Sequence, residues 1–342
     1  MDHFNIPQSK FIENSIYTSI CRIGNTVKNG YIGPDTASAI DINKQLSIKK
    51  AFSEIVERRA LMFGNINNTP YIDAFELISN KPAVLNSNYA TYNQEEDLFT
   101  DTTGSAAHYS SKSAIYSALL ELIEKNALFL FWYGKKGHRI TNQQLKEVKS
   151  LSKNTVFNHL NNTKKLMVFE SDFFHPLHIV YTIVIDQNII VSSGVGSSFC
   201  FEEALQHSFN EAYLLLWKNE SLLLFYRNDS DYRTYSESPE NILTYLNQFP
   251  TAKEINQIFS YKSQNKHIPD LLDTLPPWIE KIYLIPLTQC ISKHLKCIKI
   301  FSPYMYNHIP SKKNINLNNP MNVYTINLKS EQMAKIPDCI VT

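Results

Sequence analysis

The chain has 342 residues, 43% of them apolar, enough for a sizeable core. With 33 Lys and Arg against 32 Asp and Glu it is nearly neutral, which excludes a general electrostatic footprint for nucleic acid or an anionic membrane. The five cysteines, at 21, 200, 290, 297 and 339, form no CxxC pair, so a zinc ribbon is excluded and free thiols in a reducing compartment are expected.

The N-terminus, MDHFNIPQSKF, lacks the apolar stretch of a secretory signal, and nowhere do about 18 uncharged apolar residues run together. A soluble cytoplasmic protein without a membrane span is the expectation. Residues 16–22 read as a strand, followed by the turn-rich GNTVKNGYIGP. Residues 47–63 read as a helix, with Ile48, Ala51, Phe52, Ile55 and Val56 at helical spacing. Residues 98–113 are small and polar and read as a loop before a long helix over 113–133. Residues 134–165 read as a polar surface excursion. The Val- and Ile-rich stretches 166–169, 178–185 and 189–192 read as strands, and 201–217 as a helix. Residues 219–245, with RNDSDYRTYSESPEN at their centre, read as a mobile loop or lid. Strands at 281–287 and 297–301 precede an Asn/Pro/Lys-rich tail, irregular from 304 onward. No sharp boundary or repeat is present. The pattern predicts a single α+β domain over 1–342, with helices packed on mixed β-sheets.

Two predicted helices each hold a Glu-x-x-Glu pair, Glu54/Glu57 and Glu121/Glu124, and side chains three residues apart share a helix face. At about 100° per residue, Glu54 and Glu57 lie opposite Ile48, Phe52 and Ile55, where a solvated face belongs. The second pair sits in AIYSALLELIEKNALFLFWY, which is apolar nearly all round and so reads as buried. Carboxylates there need basic partners or a cation. A di-iron or di-manganese bundle would place histidine in such motifs, and neither pair has one. Hard oxygen donors without histidine suit Mg²⁺, which usually arrives with phosphate. The chain has neither GxxxxGK[ST] nor GxGxxG. GVGSS at 194–198 has a slight look of a phosphate loop but reads as a strand-to-helix turn. A nucleotide site would therefore be built from carboxylate-held Mg²⁺ and basic side chains. His108 and the cysteines read as packing residues, and no catalytic residue is singled out.

The run 101–132, DTTGSAAHYSSKSAIYSALLELIEKNALFLFW, resembles the YcaO family. That family carries a Ser/Thr-Asn-Gly-x-Ala-Ala-Gly/His loop, then a helix with Leu-Leu-Glu-x-x-Glu-Arg. Thr102, Thr103, Gly104, Ala106, Ala107, His108, Glu121 and Glu124 fall in that order. KKAFSEIVERRA at 49–60 is similar to the earlier motif Ser-x-x-x-Glu-x-x-Glu-Arg, matching Glu54, Glu57 and Arg58. GVGSSFCFEEALQHSFNEAY at 194–213 is similar to a third segment ending in Glu211. IYLIPLTQCISKHLKCIKIFSPYM at 282–305 is similar to the closing strands.

The resemblance implies one large YcaO-like α+β domain binding ATP, with Mg²⁺ held by Glu54, Glu57, Glu121 and Glu124. It assigns nucleotide contacts to Lys50, Arg58, Thr103, Lys125, His207 and Glu211. Four of these depart from the family pattern: Lys50 replaces a serine, Thr103 an asparagine, and Lys125 and His207 arginines. Lysine keeps the charge but loses the bidentate fork, and histidine carries little charge near neutral pH.

The implied chemistry is activation of a backbone amide, whose oxygen becomes a good leaving group once phosphorylated. Cyclodehydration of Cys, Ser or Thr to azolines, the thiazole and oxazole precursors of bacteriocin-type peptides, is the expected outcome. Thioamide formation and a non-catalytic scaffold role are the alternatives. Expected partners are a precursor peptide, a separate E1-like leader-peptide-binding protein, a dehydrogenase, and a second copy of the chain within a complex. No nucleic acid or membrane partner is expected. The family's Pro-x-Pro-x-Pro tail is reduced to Pro337 in KIPDCIVT, so 306–342 is expected to be a divergent tail.

Overall fold

The computed structural model describes residues 16–24, 26–28, 31–63, 69–93, 99–148, 151–225, 239–252 and 267–341. It opens with two antiparallel ribbons. In these β1 (Tyr17–Arg22) pairs with β4 (Thr36–Asp41), and β2 (Thr26–Lys28) with β3 (Tyr31–Gly33). Next come α1 (Lys44–Phe63), β5 (Tyr71–Glu76), β6 (Lys81–Asn86), β7 (Ser105–His108) and α2 (Ser111–Gly134). The middle of the chain forms β8 (His138–Ile140), α3 (Asn142–Glu147), α4 (Thr155–Thr163), β9 (Lys165–Ser171), β10 (His178–Asp186), β11 (Ile189–Ser198) and α5 (Phe201–Phe225). After α6 (Pro239–Leu246) and α7 (Ile268–Leu272), β12 (Tyr283–Leu287) and β13 (Lys296–Phe301) precede the short α8 (Pro320–Val323) and α9 (Ser330–Lys335). The fold is α+β.

Two antiparallel sheets organise it, one in the order β11-β10-β9-β8 and the other β6-β5-β12-β13-β7. α2 packs against β7 and β13 of the second sheet and reaches β11 of the first. This placement explains its sequence: covered on all sides, the helix is apolar nearly throughout, with Leu119, Leu122, Ile123 and every residue from Ala127 to Trp132 fully buried. β10 is likewise a continuous apolar run because the central core covers one of its faces and α5 the other. α1 covers the remaining face of the five-stranded sheet through Val56, Ala60 and Leu61.

Several sequence expectations are corrected. Part of the 98–113 loop is the strand β7, paired with β13. The 134–165 excursion is woven into the core: Leu145, Val148, Leu151, Val156, Phe157 and Leu160 are buried with α5. GVGSS is no turn but the last half of β11. Its glycines are needed because α5 lies almost on the strand: a Cβ on Gly194 would stand 2.2 Å from the Ser208 carbonyl oxygen, and one on Gly196 the same distance from that of Ala204. α5 runs eight residues past the predicted end, and α6 occupies the end of the predicted lid; the lid's centre, 226–238, lies outside the described residues.

The tail is largely irregular but firmly docked. The side-chain amide of Asn126 on α2 donates to the Tyr306 carbonyl and accepts from the Tyr306 N–H, both at 2.8 Å. Trp132 Nε1 donates to the Pro337 carbonyl, Ser193 Oγ to that of Ile340, and Val341 is fully buried. Among the described residues no helix is long and apolar enough to cross a membrane. All five cysteines are free.

Gly196→Ala should force α5 off β11 and destabilise the protein by about 2–3 kcal/mol, read as a lower urea midpoint with an unchanged slope.

Candidate functional site

β7 and β11 are edge strands of the two sheets, and their outer atoms carry the site. Ser105 Oγ on β7 donates to Glu57 Oε1 at 2.5 Å. Ser197 Oγ on β11 donates to Glu124 Oε2 at 2.7 Å, and the Val195 N–H to Glu211 Oε2 at 2.6 Å. Glutamates from α1, α2 and α5 are thus tied to the two sheet edges.

Electrostatically these glutamates form a closed ring. Glu54 acts on Glu57, Glu57 on Glu121, Glu121 neighbours Glu124, and Glu124 and Glu54 both act on Glu211. All five are half-buried. Burial, reinforced by the charge of Glu54, pushes the Glu57 carboxyl up to about 7 despite the Ser105 bond. Burial and the charges of Glu57 and Glu124 push Glu121 well above the ordinary range. Burial and Glu124 push Glu211 up to about 7, against the pull of Lys125 and the Val195 N–H. Burial also raises Glu54, opposed by Arg58 and Lys218.

Two buried lysines offset this charge. Burial alone would depress the Lys125 ammonium, but Glu211, Glu124, Glu121 and Asp101 outweigh it and hold the group charged. Lys299 on β13 is fully buried and donates to the Asp101 and Thr103 carbonyls at 2.8 and 2.5 Å. Burial lowers its pKa, while Asp101, Glu121 and Glu57 resist. Lys299 therefore pins the loop before β7. In that loop Asp101 Oδ1 accepts the Thr103 N–H and Oδ2 the Ile309 N–H. Gly104 follows at φ 74, where a Cβ would meet the Ile300 carbonyl at 2.8 Å, so only glycine fits. The Thr103 hydroxyl is buried and has no hydrogen-bond partner among the described residues.

The structure brings Glu54, Glu57, Glu121, Glu124, Glu211 and Lys125 together. Arg58 stands on their border, its guanidinium paired with Glu54 at 2.6 Å and donating to the Thr36 carbonyl at 2.5 Å. Lys50 lies a turn before Glu54, exposed and paired with Asp41 at 2.6 Å. His207 is exposed a turn before Glu211. Glu54 and Glu57, placed by the helical wheel on a solvated face, are instead half-buried, Glu54 paired with Arg58 and Glu57 bonded to Ser105 of β7. Lys299, Ser105, Ser197 and Lys218 went unremarked in the sequence. Only Lys299 carried a signal, being a lysine inside the otherwise buried stretch Cys297–Phe301.

The ring fits a hard divalent cation. Its donors are carboxylate oxygens, and the burial and neighbouring charge that keep protons on Glu57 and Glu211 are what a cation would offset. Among the described residues no three carboxylate, histidine or cysteine side chains are gathered closely enough to hold a metal ion by themselves. Mg²⁺ takes one or two carboxylates and completes its shell with water and phosphate oxygens.

The model of the family described as YcaO cyclodehydratase, ATP- and Mg²⁺-binding, matches residues 63–282. The chain belongs to the YcaO family. The match spans all of α2 and α5, hence Glu121, Glu124 and Glu211, and begins after Glu54 and Glu57. No curated protein matches the sequence. Among solved structures, the YcaO chain is similar to one in the Escherichia coli microcin synthetase McbBCD complex with pro-MccB17 bound, at TM-score 0.71 and 18% identity over 96% of this chain and 95% of that one. It is also similar to YcaO from Methanopyrus kandleri bound with AMPPCP and Mg²⁺, at TM-score 0.66 and 12% identity over 89% of each chain. The heterocyclase TruD matches at TM-score 0.51 and 15% identity over 77% of this chain and 38% of its own. At such identities the likeness establishes the YcaO fold.

The raised carboxyls give a pH signature. Glu57 and Glu211 keep protons in the folded chain that the unfolded chain releases above about 4.5, so these groups make stability fall as pH rises from about 4.5 to about 7. Glu57→Gln should leave the melting temperature near wild type at pH 5 and raise it by about 2 °C or more at pH 8 in the absence of metal, as calorimetric scans at the two pH values would show.

Proposed function

We propose that this chain is an ATP- and Mg²⁺-dependent enzyme that activates a backbone amide of a ribosomally made peptide, with cyclodehydration of Cys, Ser or Thr to azolines as its reaction. The observation that carries this reading is the ring of five glutamates from three helices, crowded enough to hold protons near neutrality and bordered by Arg58. Membership of an ATP- and Mg²⁺-binding family supports the cofactors. The fold shared with a microcin synthetase bound to pro-MccB17 supports a peptide substrate and partner proteins.

On this reading Glu54, Glu57, Glu121 and Glu124 supply the carboxylates for Mg²⁺, one or two to an ion, and Arg58 meets phosphate oxygens with its guanidinium fork. The bound Mg–ATP supplies phosphorylation of the amide oxygen, which turns a poor leaving group into a good one. The chain's own part is positional. Ser105 and Ser197 fix the carboxylate rotamers, Lys299 braces the loop carrying Thr103, and Lys125 keeps Glu124 and Glu211 from repelling one another apart. Lys50, Thr103, His207 and Glu211 complete the nucleotide side, with lysine and histidine in place of groups that would bind more tightly. A precursor peptide is delivered by a separate leader-binding protein, and a dehydrogenase acts on the azoline product. The enzyme works as a homodimer in that complex, in the cytoplasm.

Glu121→Gln should abolish phosphate release, by about 100-fold or more, while leaving the circular dichroism spectrum unchanged. Phosphate release at the wild-type rate, with peptide and partner present, would remove Glu121 from the mechanism. Product mass identifies the reaction: loss of one water per modified residue for azolines, replacement of oxygen by sulfur for thioamides.

A further inference from the structure

Beside the negative ring lies a second cluster of charge. It gathers at the start of β4, where α1 and α5 both pack. Arg22 is paired with Asp35 at 2.8 Å, and Arg58 with Glu54 at 2.6 Å. Lys218 on α5 interacts electrostatically with the same groups, Arg58, Glu54 and Asp35. Both carboxylates that act on it are paired with an arginine. Lys218 has no hydrogen bond and no ion pair among the described residues, although it is only half-exposed.

The position of Lys218 on its helix gives this cluster a direction. Seven residues separate it from Glu211, which at about 100° per residue brings the two onto one face, about 10 Å apart along the axis. His207 lies on the same face, one turn the other way. One stripe of α5 thus carries an acidic group at the carboxylate ring and a cation beyond it. Across the cleft α1 repeats the order, with Glu54 followed one turn later by Arg58. A half-buried ammonium near a guanidinium is unfavourable when the neighbouring carboxylates are already engaged by other cations. Burial and Arg58 together lower the pKa of Lys218, and Glu54 and Asp35 only partly offset them. An arriving anion with several oxygens would remove that cost by bridging the two cations.

We propose that Lys218, together with Arg58, forms the seat for the phosphoryl oxygens of the nucleoside triphosphate whose metal ion the glutamates hold. The proposal rests on the nucleotide reading above and adds a residue that neither the family resemblance nor the family match singles out. It also accounts for how the chain does without arginine at position 207: the positive charge missing there is supplied by Lys218, about three turns further along α5.

The test is calorimetric titration of the full chain with Mg–ATP and, separately, with AMP. The variants are Lys218→Met, Lys218→Gln and Lys218→Arg. Loss of one charge-assisted contact to phosphate should weaken Mg–ATP binding about 10-fold or more in the Met and Gln variants. AMP binding should stay within about twofold of wild type, showing that the fold and base site survive, and Lys218→Arg should restore Mg–ATP binding to within about threefold. Equal Mg–ATP affinity in wild type and Lys218→Met would overturn the proposal while leaving the nucleotide reading intact. Parallel loss of AMP and ATP affinity would also overturn it, by assigning Lys218 a purely structural role. Absence of Mg–ATP binding by the wild-type chain would instead overturn the nucleotide reading and this proposal with it.

Discussion

Like charges confined in a cleft repel, and the fold of this protein exists around that constraint. Five glutamate side chains from α1, α2 and α5 influence one another electrostatically in a closed circuit. In water such a set would spread apart. Here the sheet edges prevent it: a serine of β7, a serine of β11 and a backbone N–H of β11 each hold one carboxylate. Buried Lys125 and Lys299 supply opposing charge, yet Glu57 and Glu211 still retain protons up to about 7. The arrangement is costly for the metal-free protein and is the kind of local conflict that marks a binding site rather than a stabilising network.

The architecture follows from that requirement. Unpaired donors that a sheet edge ordinarily leaves exposed are turned toward carboxylates instead. α2 can contribute glutamates from within an apolar segment because it contacts both sheets and borders the cleft between their edges. α5 must sit close to β11 for Glu211 to reach the Val195 N–H, and Gly194 and Gly196 make that approach sterically possible. The docked tail braces the far end of α2 through Asn126, Trp132 and Tyr133, the last donating to the Pro310 carbonyl. Rigid support of this kind keeps a cluster of like charges in register.

Much of this was legible in the sequence. The Val- and Ile-rich runs marked β9 and β10, and helical spacing marked α1. Glu121 and Glu124 stood out because they interrupt an apolar helix. Where local pattern failed, tertiary contacts were the reason. Glu54 and Glu57 sit on the polar side of α1, and no wheel can tell bulk water from a polar cleft walled by another helix. GVGSS looked like a turn because glycine usually signals one, whereas here it marks where a helix backbone presses on a strand. The polar composition of 134–165 hid seven core residues spaced through it, from Ile140 to Leu160. Lys218 had no local signal: its meaning arises only when α5 is laid beside Arg58 and the start of β4.

The most direct measurement is an anomalous difference map from crystals grown with Mn²⁺ and a non-hydrolysable ATP analogue. The account predicts a peak within the cleft, with carboxylate oxygens of Glu54, Glu57, Glu121 or Glu124 at coordination distance and phosphate oxygens completing the shell. A nucleotide bound elsewhere, or a metal peak outside the glutamate ring, would contradict it.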